Sequence, residues 1–201
     1  MGNAQGLIRD TNLDGSQKNE LASSPMLRPP GFNVNDTVHL VQSFSESVAR
    51  AAGEVIKDVP WDVGSFVRTK FRLAKVICSA VPECEGTMRP TELGSWSEAS
   101  KIDVAVVRSP MGIAETGSVL LSDMELQINT IAFLAHDLVV LLDPAQIVQG
   151  LRDAYRHPYF GAHPYSLLMT GPPGSPTVRT RVACPNEGGK TLTVLLLPVS
   201  K

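Results

Sequence analysis

Residues 137–143 read DLVVLLD, and residues 191–198 read TLTVLLLP. Both segments are apolar at consecutive positions, whereas a strand with one face in water alternates apolar and polar residues. A strand that is apolar on both faces must be covered on both faces, as in a largely parallel sheet. The two segments therefore predict an α/β protein with three layers, in which helices pack on both faces of a mostly parallel sheet.

Further strands and helices alternate along the chain, as this architecture requires. Apolar residues at helical spacing predict a first helix that begins near Thr37, with Asp36 as its N-cap, and ends at Gly53. A short second helix is predicted over 63–70. The predicted strands are 54–59, 74–79, 103–109, 118–122, 137–143, 166–171 and 191–198.

The sequence after residue 143 indicates a third helix. Asp143 is a suitable N-cap, and Pro144 suits the first helical position because proline lacks a backbone N–H. The residues expected on the apolar face of this helix are Ile147, Val148, Leu151 and Tyr155.

Residues 1–35 differ from the rest of the chain. They are polar, contain Pro25, Pro29 and Pro30, and show no sustained periodicity. We predict an irregular N-terminal tail over 1–35 and a single domain over 36–201.

Charge and hydropathy exclude several classes of protein. The formal net charge is −2, so no general basic field favours nucleic acid or an acidic membrane. No apolar run reaches the roughly 18 residues that a membrane span needs. The first residues lack the apolar core of a secretory signal. These features predict a cytoplasmic protein with no membrane span and no nucleic-acid partner.

The cysteines argue against a metal centre. Cys78, Cys84 and Cys184 are the three cysteines of the chain, and none belongs to a CxxC motif. An iron–sulfur cluster normally takes four thiolates, so we expect no metal and no intrinsic cofactor. Cys78 lies in the apolar run AKVICSAV and is predicted to be a buried small hydrophobic residue.

Two polar loops follow predicted strands, where ligands of parallel sheets gather. The first is SPMGIAETGS (109–118), and the second is MTGPPGSPT (169–177). Both loops can present backbone N–H groups to an anion or a carbonyl oxygen. The candidate ligand-binding residues are Gly112, Thr116, Gly117, Thr170 and Gly171, together with Arg108, which precedes the first loop.

Glu115 is the candidate catalytic residue. A carboxylate in a glycine-rich loop can serve as a nucleophile or a general base, or it can accept bonds from loop N–H groups and only shape the turn. Arg108 can hold a carboxylate through a bidentate contact, or it can be a strand end in solvent. His157 and His163 of RHPYFGAHPYS (156–166) are expected to lie in a packed surface loop. The aromatic residues of this segment are expected to pack in the core, or else to form a lid or a partner surface.

Four blocks in this order support a family resemblance. AETGSVLL, LAHDLVVLLDPAQIV, LLMTGPPGS and GGKTLTVLLLP span roughly residues 100–198. Together they resemble the LutC/YkgG lactate-utilisation family, the LUD domain. This resemblance implies a fold like that of the NagB/RpiA/CoA-transferase group. In the class I CoA transferases of that group, the glutamate of a similar motif is the acyl-accepting nucleophile.

The resemblance also implies partners. LutC-like proteins are linked to growth on L-lactate alongside iron–sulfur proteins of the LutA/LutB type, and this chain resembles the cluster-free subunit. A small carboxylate or acyl ligand is compatible with it, and exposed strand edges suggest an oligomer or partner contact. One departure stands out: the family's acidic stretch is replaced here by Pro176, Thr177, Val178 and Arg179.

Three functions follow as alternatives. The first is an accessory subunit of a system that oxidises L-lactate to pyruvate, with iron–sulfur clusters on its partners only. The second is an acyl or CoA transferase in which Glu115 is the nucleophile and the amides of Gly112, Gly117 and Gly171 bind the oxyanion. The third is a small-anion-binding module without catalysis.

Overall fold

A computed structural model of the chain describes residues 34–58, 62–92, 96–122, 135–159, 163, 166–172 and 191–198. The helices are α1 (Val34–Arg50), α2 (Val63–Lys70), α3 (Trp96–Ala99) and α4 (Leu151–Arg156). The strands are β1 (Glu54–Ile56), β2 (Ile77–Ser79), β3 (Val104–Ser109), β4 (Met111–Ile113), β5 (Ser118–Ser122), β6 (Asp137–Leu142), β7 (Ile147–Val148), β8 (Ser166–Thr170) and β9 (Thr191–Leu196). None of the helices in these ranges is long and apolar enough to cross a membrane.

The main sheet has five parallel strands in the order β1-β9-β6-β3-β2. Its central strand β6 is covered on both faces. Val139 and Leu141 pack with α2 on one face, and Leu138 and Val140 pack on the other. The prediction of a three-layer α/β fold with a mostly parallel sheet is confirmed.

The second face of the main sheet is covered by α1 and by a second, four-stranded sheet in the order β7-β4-β5-β8. In this sheet β4 and β5 form an antiparallel hairpin, and β7 lies parallel to β4. Helix α4 packs on its outer face through Ala154. The predicted helix on this face is α1, whereas the second sheet beside it was not predicted. The short apolar run MGI lies in a segment predicted to be a loop, but it forms β4 by pairing with β5 and β7.

The third helix was also predicted wrongly. The carboxylate of Asp143 accepts a hydrogen bond from Ala145 N at 2.9 Å, but the segment that it caps is only a 3₁₀ turn, Pro144–Gln146. Ile147 and Val148 then form β7, because their β-branched side chains suit a strand and β4 offers a paired edge. The helix α4 begins only at Leu151, and Tyr155 is exposed rather than part of an apolar inner face.

The ends of α1 differ in how well they were predicted. The helix begins at Val34, so Asp36 lies in its first turn and is not the N-cap. At the other end Ala52 has a φ of 63°. Its N–H donates to Ala49 O at 3.0 Å, and Gly53 N–H donates to Val48 O at 2.9 Å. This pair of bonds is a Schellman motif with alanine in the left-handed position. The predicted tail over 1–35 lies outside the described residues apart from its last two positions.

Candidate functional site

The two predicted loops meet at one end of the second sheet. Ser118, at the start of β5, pairs with Thr170, at the end of β8. This register places Gly117 beside Gly171, and Thr116 reaches the same end through its hydrogen bond to Ser118. The two segments that the sequence predicts as polar loops therefore lie together, although residues 111–113 of the first segment form a strand.

Three hydroxyl groups form a continuous row at this end of the sheet. Ser118 Oγ lies 2.7 Å from Thr116 Oγ1 and 2.5 Å from Thr170 Oγ1. Ser118 is 3% exposed, while the two threonines are half-buried. Ser118 N–H also donates to Thr116 Oγ1 at 3.3 Å. The row, which we call the hydroxyl row, thus runs from the β4–β5 turn through a buried serine to the end of β8.

Two glycines allow the backbone of these segments to approach the end of α1 closely. Gly117 has a φ of 69°, and a Cβ on it would lie 2.5 Å from Val48 N. Gly171 has a φ of 76°, and a Cβ on it would lie 2.5 Å from Ala51 O. Only glycine combines this conformation with so close a backbone approach. The glycine of the ETG motif is therefore required by packing.

Glu115 occupies the tip of the β4–β5 turn. Its main chain is held on both sides, because Glu115 N–H donates to Gln149 O at 3.0 Å and Ser47 Oγ donates to Glu115 O at 3.3 Å. Its side chain is exposed. The carboxylate lies next to Gly150, where an added Cβ would come within 2.7 Å of Glu115 Oε2. The backbone is thus fixed while the carboxylate faces solvent.

Ser47 and Arg50 belong to this site but were not predicted. Arg50 Nη2 donates to Ser47 Oγ at 2.7 Å, and Ser47 bonds the Glu115 carbonyl. The arginine is thereby placed beside the peptide bond that joins Glu115 to Thr116. A contact across 68 residues of sequence has no local signal, and the helical period marks only the apolar face of α1.

Gly112 and Arg108 lie elsewhere. Gly112 is in the middle of β4, which is paired on both edges, and an added Cβ would lie 2.7 Å from Leu142 Cδ2. The prediction of a loop amide at Gly112 is therefore wrong. Arg108 forms an ion pair with Glu83, in the segment that follows β2. Its neighbours Val104 and Val106 in β3 face α2, so alternation along the strand directs Arg108 away from α1.

Other candidate groups have structural partners. Tyr159 OH lies 3.0 Å from Ser122 Oγ, and its ring centroid is 4.3 Å from that of His163. Burial lowers the pKa of His157, whose Nδ1 accepts from Tyr159 N–H at 3.2 Å. Burial raises the pKa of Cys78 to about 11, with a smaller contribution from Glu92. The prediction of a buried, unreactive Cys78 agrees with its 1% exposure.

Two further observations concern where a ligand or a metal ion could bind. A cavity of about 780 Å³ lies beyond β2 and is lined by residues between Ser79 and Glu92. It is formed by a different segment from the one that carries Glu115. Within the described ranges, no group of three or more His, Cys, Asp or Glu side chains is arranged to hold a metal ion. The replaced acidic positions Thr177 and Arg179 lie outside those ranges.

Comparison with known proteins gives one informative match. No protein-family profile and no curated protein matches the sequence. Among solved structures, the fold is similar to the crystal structure of a DUF162 family protein from Deinococcus radiodurans, with a TM-score of 0.62 and 13% sequence identity. The likeness covers 80% of this chain and 98% of that chain. At this level of identity, the likeness shows that the two chains share a fold.

Proposed function

We propose that this chain is a LutC-type LUD-domain protein that serves as a cytoplasmic accessory subunit of an L-lactate-oxidising system. One observation carries the proposal. The four ordered sequence blocks resemble the LUD domain, and the fold is that of a DUF162 protein, which is the LUD domain under another name. The fold likeness, at 13% sequence identity, agrees with the fold that the motifs imply.

The geometry around Glu115 favours a binding role over acyl transfer. An acyl-enzyme needs amide donors aimed at the developing oxyanion. Gly112 is confined within a paired strand, and Gly117 N–H donates to Ile113 O at 2.9 Å. Two of the three amides proposed for that hole are therefore committed elsewhere. Among the described residues, no wall excludes water from the exposed carboxylate of Glu115. Exclusion of water is what strengthens electrostatic catalysis in enzymes.

Electron transfer is assigned to partner proteins in this proposal. The chain has three cysteines, and two of them, Cys78 and Cys84, are buried within the fold. A cluster normally requires four thiolates. Iron–sulfur proteins of the LutA/LutB type would then carry the electrons, and this chain would bind a ligand or organise the assembly.

The test is affinity capture of the tagged chain from its native host grown on L-lactate. We expect co-purified proteins that contain iron and an eluate that reduces a dye only when L-lactate is added. An eluate without iron or lactate-dependent reduction would contradict the accessory role. Unchanged growth on L-lactate after deletion of the gene, in a host without a paralogue, would contradict it as well.

A matched pair of variants separates the accessory role from catalysis by Glu115. Glu115→Gln removes the charge of the exposed carboxylate, and Glu46→Gln makes the same change at an exposed position on α1. In an accessory subunit both variants retain lactate-dependent reduction in the captured complex. If Glu115 is a nucleophile, a covalent acyl adduct appears on Glu115 when the native chain is incubated with acyl-CoA. Glu115→Gln then abolishes the adduct, whereas Glu46→Gln keeps it.

A further inference from the structure

The cavity beyond β2 combines an apolar lining with charged side chains at the surface. Its volume of about 780 Å³ lies within the range of small-molecule sites in proteins. Among its lining residues Val81 and Cys84 are buried and Met88 is half-buried, whereas Glu85 and Arg89 are exposed. The cavity also lies at the carboxyl end of a parallel strand, where ligands of such sheets bind. It therefore has the position and the composition of a ligand site.

Hydrogen bonds fix the segment that encloses the cavity. Met88 runs alongside β2, because Ser79 N–H donates to Met88 O at 3.1 Å and Met88 N–H donates to Ile77 O at 3.2 Å. Earlier in the segment, Arg68 Nη2 of α2 donates to Glu85 O at 3.0 Å. A ligand that enters the cavity would therefore order little of the surrounding backbone, which reduces the entropic cost of binding.

Two side chains of opposite charge line this cavity without neutralising each other. Neither Arg89 nor Glu85 has an ion pair within 4.0 Å among the described residues. The backbone of Arg89 is fixed, since Glu92 Oε2 accepts a hydrogen bond from Arg89 N–H at 3.2 Å. A guanidinium binds a carboxylate through paired N–H groups, and a carboxylate accepts hydrogen bonds from an ammonium group. A ligand with charge of one sign would be repelled by Arg89 or by Glu85, whereas a ligand with both charges is attracted by each.

We propose that this cavity binds a zwitterionic ligand with an apolar side chain, namely an α-amino acid or a short peptide. Arg89 contacts the carboxylate of the ligand, Glu85 contacts its ammonium group, and its apolar side chain packs against Met88 and Cys84. The proposal goes beyond the proposed function, because the cavity and Glu115 belong to different segments and each proposal can hold without the other.

The test is a titration of the isotope-labelled full chain with L-leucine, L-methionine and the dipeptide L-leucylglycine, followed by the NMR signals of backbone amides. We expect saturable shifts at the amides of residues 83–89. The matched probes are two blocked forms of whichever ligand binds most tightly: the N-acetyl form lacks the ammonium group, and the amide form lacks the carboxylate. Each blocked form should bind roughly tenfold or more weakly than the parent ligand, because each loses one charge-assisted contact. Tighter binding of the dipeptide would assign the cavity to peptides, and tighter binding of L-leucine or L-methionine would assign it to free amino acids.

Variants separate the two charged contacts. Arg89→Gln should weaken binding of the parent ligand roughly tenfold or more and leave the affinity for its amide form unchanged. Glu85→Gln should weaken binding of the parent ligand and leave the affinity for its N-acetyl form unchanged. Arg72→Gln and Glu46→Gln are the controls, because they remove the same charges at exposed positions elsewhere. No saturable shift with any of the three ligands, equal affinity for the parent ligand and its blocked forms, or unchanged binding in Arg89→Gln and Glu85→Gln would overturn the proposal.

Discussion

The main sheet and the second sheet contribute to one apolar core. The main sheet contacts its neighbours through large side chains, whereas the second sheet does so in part through the backbone at glycines. In the main sheet, large side chains such as Leu138 and Leu141 fill the space towards the flanking layers. In the second sheet, Gly112 and Gly117 allow other groups to approach the backbone itself. The difference teaches that one region of a core can be sensitive to the removal of side-chain volume while another is sensitive to its addition.

Truncation should damage the main sheet most. Leu138 is 0% exposed and lies in the central strand β6, so Leu138→Ala leaves a cavity that the rigid sheet fills poorly. We expect a loss of about 2–5 kcal/mol in the free energy of unfolding, measured by urea denaturation. A loss below about 1 kcal/mol would show that the surrounding layers collapse easily, contrary to the comparison.

Addition of one methyl group should damage the second sheet. In Gly117→Ala the new Cβ meets the backbone of α1 at Val48 and the residue keeps a positive φ. The conformation alone costs about 1–2 kcal/mol, and overpacking adds about 1–3 kcal/mol. Gly150→Ala is the matched control, because its Cβ meets only the end of the exposed Glu115 side chain. Urea denaturation should show a large loss for the first variant and little change for the second.

The end of α1 offers a stabilising change. Ala52 holds a φ of 63° in the Schellman motif, which glycine adopts without steric cost. We expect Ala52→Gly to raise the unfolding free energy by about 0.5–1 kcal/mol, after the entropy of the unfolded chain is included. Ala49→Gly, an exposed position inside the same helix, should lower it by about 1 kcal/mol. Destabilisation by both changes would show that the left-handed position is not strained.

The outer face of the second sheet should respond to pH. Burial lowers the pKa of His157 below its ordinary value of 6.5. As pH falls through 6.5, the unfolded chain binds a proton that the folded chain still excludes, so His157 reduces stability progressively until its folded pKa is passed. The Tyr159 N–H bond to Nδ1 is then lost. Thermal unfolding of the native chain and of His157→Asn, which keeps an acceptor but does not titrate, should diverge below pH 6.5; parallel curves would contradict this.

Sequence patterns were reliable where burial alone decides the structure. The helix over 63–70 and the strand over 118–122 were predicted with the bounds that the structure has. Consecutive apolar residues in β6 and β9 predicted the parallel sheet, because two covered faces leave that signature in the sequence. The same rule failed for Ile147 and Val148, whose apolar spacing suits a helix as well as a strand.

The candidate site was predicted only in part. The ETG segment and the end of β8 were both recognised, since glycines and threonines after apolar strands indicate functional turns. Arg50 and Ser47 were missed and Arg108 was chosen instead, because no local pattern tells which arginine faces which turn. The direction of a side chain depends on register between strands, and register is a property of the assembled sheets.

By itself, the sequence determined the α/β class, the parallel central strands and the two segments that carry the site. It could do so because the patterns of hydrophobic burial and the residues that form turns can be recognised within short stretches of sequence. Only the tertiary structure decided that a second sheet exists, that Gly117 is required by its contact with α1, and that Arg50 rather than Arg108 lies beside Glu115. Those features depend on contacts between residues far apart in the chain, whose geometry arises when the layers pack together.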